Sequence, residues 1–423
     1  MRTTLHARVL AILVLGTGVG PVLAADLSGP PAPAPTPTPT PTPTSGAYSL
    51  NVLYTGELWD NTYGGLRQGA SYMNNIDAAF SIDTGKAFGW TGGTFFAEAF
   101  YANGISTENG WVGAVNVQSP IDTGANVPMF RIYQLYYEQD FGKTNVRLGI
   151  YDLSTEFSLT KPQNLFLSGN LTWNTALDEA GLAPLGGTVG AGSYPATPLA
   201  LRIRQDFGNG FSGQFALADG ADADPQNPAA NGVYFSPAYG ALAIGEADWT
   251  PDKHTKLMVG AWGLSSLLPD FGEFNPDGSQ RMSYGQFGGY VGGAARIYQQ
   301  TPKRGLDAFF TLGVSSPQST DVAQSFNSGL VYTGLFDARP TDKAGVSMNV
   351  NFASDAWRRY EASLGDPIGY SELSFEATYR AKINDFLTVQ PDVQYIAHTG
   401  YSTTLRNPVV LGLHFEIGHV FDW

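Results

Sequence analysis

The chain has no cysteine, five histidines, and only 14% Asp, Glu, Lys and Arg together. Without cysteine there is no disulfide framework, no thiolate metal site and no thiol nucleophile. The histidines (His6, His254, His398, His414 and His419) include no His-x-His pair with an added acid, and no glycine-rich phosphate loop is present. No catalytic residue, metal or cofactor is therefore expected. After the leader, no stretch stays apolar for 18 residues, which excludes a helical membrane protein. A membrane barrel, whose strands are apolar on alternate residues only, is not excluded. With 23 basic against 37 acidic residues the net charge is −14, which argues against a nucleic-acid partner.

What is present begins with an address. Arg2, His6 and Arg8 precede a short apolar run from Val9 to Val19, Pro21 breaks it, and Val22-Leu23-Ala24 offers small residues to a peptidase. Residues 1–24 read as a cleaved secretory signal, since the run is too short for a span of roughly 20 residues. Residues 25–46 form a spacer whose Pro-Thr alternation fits neither helix nor sheet ladder and reads as an extended polyproline-like arm. Such an arm could reach the periplasm and its cell wall, or simply lead into the domain. Residues 47–423 are one domain rich in aromatics and glycine, with 25 Phe, 21 Tyr, 8 Trp and 51 Gly in the whole chain.

Period two dominates that domain. Near the C-terminus Val409, Leu411, Leu413, Phe415 and Ile417 alternate with Val410, Gly412, His414, Glu416 and Gly418. Upstream, Leu373, Phe375, Ala377 and Tyr379 alternate with Glu372, Ser374, Glu376, Thr378 and Arg380. The pattern predicts sixteen strands, near 48–60, 68–82, 93–104, 131–141, 144–152, 199–207, 211–219, 239–250, 255–265, 285–298, 305–316, 326–335, 343–353, 371–382, 386–397 and 408–423. Even-numbered connections are short, such as 141–143, 207–210, 251–254 and 383–385, whereas odd-numbered ones such as 105–130, 153–198, 220–238, 266–284 and 354–370 are long. This is the asymmetry of an all-β, transmembrane antiparallel barrel with short periplasmic turns and longer outer loops. A soluble sandwich also alternates, but not with that rhythm of connections. Such a barrel meets outer-membrane lipid and lipopolysaccharide on its apolar face, and sixteen strands enclose an aqueous lumen. The terminal aromatic Trp423 suits recognition by the barrel-assembly machinery.

The third outer connection, 153–198, is the longest and carries Phe157, Phe166, Trp173 and Tyr194, which a solvated loop would leave exposed. It is expected to fold into the lumen and narrow it. Strand parity turns Arg147, Tyr151, Arg202, Arg204, Glu98, Glu138, Trp262, Glu246, Asp248, Glu372, Glu376, Arg380 and Asp392 inward. Aromatic rings can stack on the C–H faces of sugars, and amide or charged groups can bond their hydroxyls. A phosphate channel would need a mainly basic lining. The alternative for each residue is an ordinary lumen charge satisfied by a neighbour.

Several stretches, in order and at fitting spacing, resemble the carbohydrate-selective porins of the OprB type. They include Thr62-Tyr63-Gly64-Gly65-Leu66-Arg67-Gln68-Gly69, Arg131-Ile132-Tyr133-Gln134-Leu135-Tyr136-Tyr137-Glu138, Val146-Arg147-Leu148-Gly149-Ile150-Tyr151-Asp152, Gln390-Pro391-Asp392-Val393-Gln394-Tyr395 and Asn407-Pro408-Val409-Val410-Leu411-Gly412-Leu413. The resemblance spans about Gly56 to Leu413. It implies a sixteen-stranded barrel, passive uptake of small neutral sugars and an eyelet with arginine and acidic side chains, of which Arg147 and Glu138 fall in matching stretches. The Pro-Thr spacer and the ending on Trp423 depart from the family pattern. Three other readings stand beside sugar uptake: a general porin, a plugged structural barrel, and an outer-membrane enzyme using His398 near Thr399 and Ser402.

Overall fold

The computed structural model describes residues 46–115, 118–122, 128–168, 175–178, 194–224 and 230–423. The expected signal sequence and spacer lie outside the described residues, as does Trp173. The described residues form sixteen strands: β1 (Tyr48–Tyr63), β2 (Gly69–Asp83), β3 (Gly93–Gly104), β4 (Met129–Phe141), β5 (Thr144–Ile150), β6 (Leu199–Gly208), β7 (Phe211–Asp219), β8 (Ala241–Trp249), β9 (Lys256–Phe274), β10 (Gln280–Thr301), β11 (Arg304–Ser315), β12 (Val322–Thr333), β13 (Lys343–Ala353), β14 (Ser371–Lys382), β15 (Leu387–Ala397) and β16 (Val409–Asp422). Each pairs antiparallel with its sequence neighbours, and β1 pairs β16 from Ser49↔Asp422 to Asn61↔Val410, so the sheet closes. No helix among the described residues is long and apolar enough to cross a membrane. Here strands do the crossing, and closure leaves no ladder edge to face hydrocarbon.

The two faces separate as the alternation requires. On β16 and β14, Leu411, Leu413, Ile417 and Phe375 are exposed on the outside while Val410, His414, Glu416, Glu376 and Arg380 are buried within. The same holds on β13, where Val346 and Phe352 point out and Ser347, Asn349 and Asn351 point in. At one rim Tyr48 and Trp423 exchange backbone hydrogen bonds of 3.0 and 3.1 Å, which places both ends of the barrel chain together. Tyr48 stacks there on Phe80 and on Trp423, at 6.4 and 6.2 Å between ring centroids. Aromatics at this level suit the headgroup girdle.

Turn chemistry fixes the same rim. Gly142 takes φ 67 before Lys143, the primed turn with glycine first that a two-residue hairpin demands. Between β6 and β7, Asn209 (φ 53) and Gly210 (φ 80) both adopt positive φ, the other primed form.

Some expected boundaries shift. β5 ends at Ile150, so Tyr151 and Asp152 open the following loop instead of closing the strand, and β12 begins at Val322 instead of 326. The expected long loop at 266–284 is mostly strand. β9 and β10 run on as a hairpin, pairing as far as Phe274↔Gln280, with a tip of only five residues, 275–279. Alternation fails there because the register slips between Leu264 and Leu267 opposite Tyr284 and Gln286. The ladder nevertheless continues, since each strand satisfies the other beyond the level at which β11 stops.

The lipid face generates a direct expectation. Leu413→Arg, near the middle of β16, should cost about 2–4 kcal/mol of stability in unfolding from lipid vesicles. A cost near zero would place this face in water.

Candidate functional site

The connection from Tyr151 to Pro198 enters the barrel. Asp152 starts the inward turn: its carboxylate accepts from the Ser154 backbone N–H at 2.8 Å and from its hydroxyl at 2.6 Å, and Tyr133 also donates to it. Burial pushes this carboxyl up to about 6, against the opposing pull of those hydrogen bonds. Past the turn, Leu153, Phe157, Phe166 and Leu167 are all fully buried. Phe166 sits 5.7 Å from Phe309 of β11.

Polar groups of the barrel wall hold this loop along its whole path. Ser158 N–H donates to Glu246 of β8 at 2.7 Å, and Lys256 of β9 donates to Leu159 O at 3.1 Å. On the far wall, Leu167 and Ser168 donate consecutive backbone N–H groups to the two oxygens of Glu376 of β14, at 2.7 and 3.1 Å. Gln390 of β15 donates to Leu165 O at 2.7 Å. The chain between β5 and β6 thus spans the lumen to β14 and β15.

A second loop enters too, which the sequence reading did not foresee. After β3 the chain forms a short helical turn, Glu108–Val112, and Trp111, Val112, Ala114 and Ile121 pack with Trp59, Ile396, Val410 and Leu167 of the first loop. Val115 N–H donates to Glu372 of β14 at 2.9 Å, and Gln394 donates to Gln118 O at 2.9 Å. The signal was in the sequence: Trp111, Val112 and Ile121 are apolar side chains inside a long outer connection.

At the root of the first loop four charges meet. Arg147 Nε lies 2.5 Å from Glu138 Oε2, and Arg202 Nη2 lies 3.3 Å from the same oxygen and 2.6 Å from Glu156 Oε1. Arg147 Nη1 completes the ring 3.7 Å from Glu156. Arg147 also lies over Tyr136 and Tyr151, at 4.2 and 5.1 Å from the ring centroids. Burial alone would raise Glu156, but Arg147 and Arg202 override it and hold the carboxyl below its usual range. Glu156 comes from the inward loop, where strand parity gives no guidance. Only its place next to Phe157 marked it.

The other residues selected from sequence take up different tasks. Arg204 faces the lumen and is solvent-exposed, acting on Glu156 through space. Glu98 accepts from Gln134 at 2.5 Å. Glu246 and Asp248 share Lys256, at 3.3 and 3.2 Å. Trp262 is packed against the first loop in one apolar cluster with Tyr151, Leu153 and Phe157, so its faces are covered. Asp392 accepts from Gln394 at 3.0 Å. Arg380 pairs with Glu416, which lies 3.1 Å from His414, itself 2.6 Å from Glu57 across the β1–β16 seam. His414, Glu416 and Glu57 were not selected from sequence, though all three sit on the lumen side of their strands.

Two outcomes follow from this geometry. Glu376→Ala removes both acceptors of the loop tip, and bonds to a charged group are worth about 1.5–3 kcal/mol each. Single-channel conductance should rise as the tip detaches; an unchanged value would show that the other anchors suffice. Glu156→Gln leaves two guanidinium groups facing one carboxylate, so the reversal potential in a KCl gradient should move toward anion preference.

Comparison with known proteins agrees with this architecture. The family model described as "Carbohydrate-selective porin, OprB family" matches residues 67–418. Porin B of Pseudomonas aeruginosa is 25% identical over 409 residues, covering 87% of each chain. The high-pH structure of Pseudomonas putida OprB superposes with a TM-score of 0.78 at 21% identity, covering 88% of this chain and 94% of the other. Its low-pH structure gives 0.54 at 18% identity. With the family model matching over most of its barrel, the chain belongs to the OprB family of carbohydrate-selective porins.

Proposed function

We propose that the chain lets small neutral carbohydrates diffuse across the outer membrane of a Gram-negative cell into the periplasm, after export by its N-terminal signal. The observation that carries this reading is the charge ring at the root of the inward loop. Two arginines and two glutamates within 3.7 Å contacts give a strong local field with no net charge. Such a field offers donors and acceptors to hydroxyl groups without the basic excess that an anion channel needs. Tyr136 and Tyr151 flank it with ring faces, the apolar complement to a pyranose. The flow is passive, because nothing in the sequence supplies a nucleotide site or a coupling domain.

The family and the fold both point to a channel rather than an enzyme. His398, considered for catalysis, adopts φ 56 in an outer loop and bonds through its backbone N–H to Asn407 at 3.0 Å. Partners in this reading are neutral sugars in the lumen, lipid and lipopolysaccharide around the barrel, and the assembly machinery that reads the last strand.

The test is single-channel recording of the refolded protein in a planar bilayer. Steady current should be blocked by glucose at millimolar concentrations, and Arg147→Ala or Glu138→Ala should weaken the block by about ten-fold, the loss of one charge-assisted contact. Steady current that no sugar perturbs would make this a general porin, and no current would sink the channel reading.

A further inference from the structure

The lumen wall is not uniformly charged. On β13, β14 and β15 it turns neutral beside the tip of the first loop, in a crevice lined by Ser168, Ser347, Asn349, Ser374, Glu376 and Gln394. The lining is built by register: Ser347 stands opposite Glu376 and Glu376 opposite Gln394 in one row, with Asn349 opposite Ser374 in the next. Ser347 is 6% exposed and Asn349 1%. Asn349 spends its amide N–H groups on Asn327 and Asn351, at 2.5 and 3.3 Å. Its carbonyl oxygen, the Ser347 hydroxyl and the Asn351 amide nitrogen are buried without a hydrogen-bond partner.

Buried polar atoms left unpaired cost about 1–3 kcal/mol each, so a run of them on one patch marks a place where something outside the chain supplies the bonds. The unpaired set holds both donors and acceptors, which a hydroxyl group satisfies from either side. Glu376 is already committed to two loop N–H groups, so the crevice offers no uncompensated charge to an ion. Its space is water-sized, enough for a side arm and not for a sugar ring.

We propose that this crevice is a second carbohydrate subsite, which takes the exocyclic hydroxymethyl arm of a hexopyranose while its ring remains in the conduit. The proposal rests on the sugar-channel reading and adds a discrimination to it. Hexoses are retained more strongly than pentoses of the same ring stereochemistry, because the arm replaces crevice water with bonds to Ser347 and Asn349. Asn349→Leu keeps the shape and removes the acceptor; Ser347→Ala removes the hydroxyl alone with the smaller perturbation.

The experiment compares current block by glucose and by xylose, which lacks the hydroxymethyl arm, in the wild type and both variants. The wild type should be blocked at lower glucose than xylose concentration. In either variant the ratio of the two block constants should fall toward one, with about a five-fold loss for glucose. Equal block by both sugars in the wild type would show that the crevice holds water only, and overturns this subsite while leaving the sugar channel standing. A parallel loss for both sugars with raised KCl conductance would show a displaced loop and overturns it as well. Block by neither sugar in the wild type removes the sugar-channel reading and the subsite together.

Discussion

Every backbone N–H and C=O that crosses hydrocarbon must be paired inside the protein, and the molecule is arranged around that demand. Pairing β1 with β16 answers it, because a sheet with a free edge would expose a row of unpaired groups to lipid. Closure divides each strand into a lipid side and a lumen side, and the sequence obeys the division residue by residue. The seam is also chemically marked. Glu57 on β1 and His414 on β16 lie 2.6 Å apart, and Arg380 and Glu416 extend the network to β14. A slip of one residue there would turn these side chains into lipid, so the buried charges and the apolar belt specify the same register.

The lumen carries the second constraint. A barrel of sixteen strands is too wide to be filled by its own wall side chains, and here two outer connections fold in. They bring backbone N–H groups that need acceptors away from bulk water. The wall meets that need with carboxylates on β8 and β14, at Glu246, Glu372 and Glu376, each accepting from a loop amide. Several acids that parity turns inward are therefore anchors for loops. The groups that remain near the conduit are the Arg147–Glu138–Arg202–Glu156 ring, with Arg204 beside it, and the tyrosines beneath Arg147.

This distribution ties structure to permeation. Charges buried in a narrowed lumen are tolerated when each has a partner within a few ångströms, and a closed ring of alternating sign satisfies that while keeping net charge low. Neutral polar solutes gain from such a field. Ions of either sign gain less, because each arginine stands beside a carboxylate. The neutral amides and hydroxyls of β13 to β15 continue the same logic on the opposite wall, where hydrogen bonding is offered without charge.

Much of this was legible in one dimension, for a physical reason. A strand's period of two is local, so Leu411 against Val410 and Phe375 against Glu376 declare their sides without any knowledge of neighbours. Sixteen strands, their order and the two classes of connection follow from that alternation and from turn residues such as Asn209-Gly210. Where the ladder lasts beyond the lipid, as in β9 and β10, no apolar belt is needed, alternation lapses, and the sequence suggested a loop where the structure has strands. Inward loops obey no period. Their aromatic content shows that the first must be buried, but not that Leu167 and Ser168 reach Glu376, some 200 residues away in the chain. Nor could parity tell an anchoring carboxylate from one that faces solute, or place Glu156 between Arg147 and Arg202. The sequence by itself determined which side chains face water and which face lipid, because that choice is made one residue at a time. Only the tertiary structure decided which lumen charges meet, because that depends on where two irregular loops cross a space that the strands merely enclose.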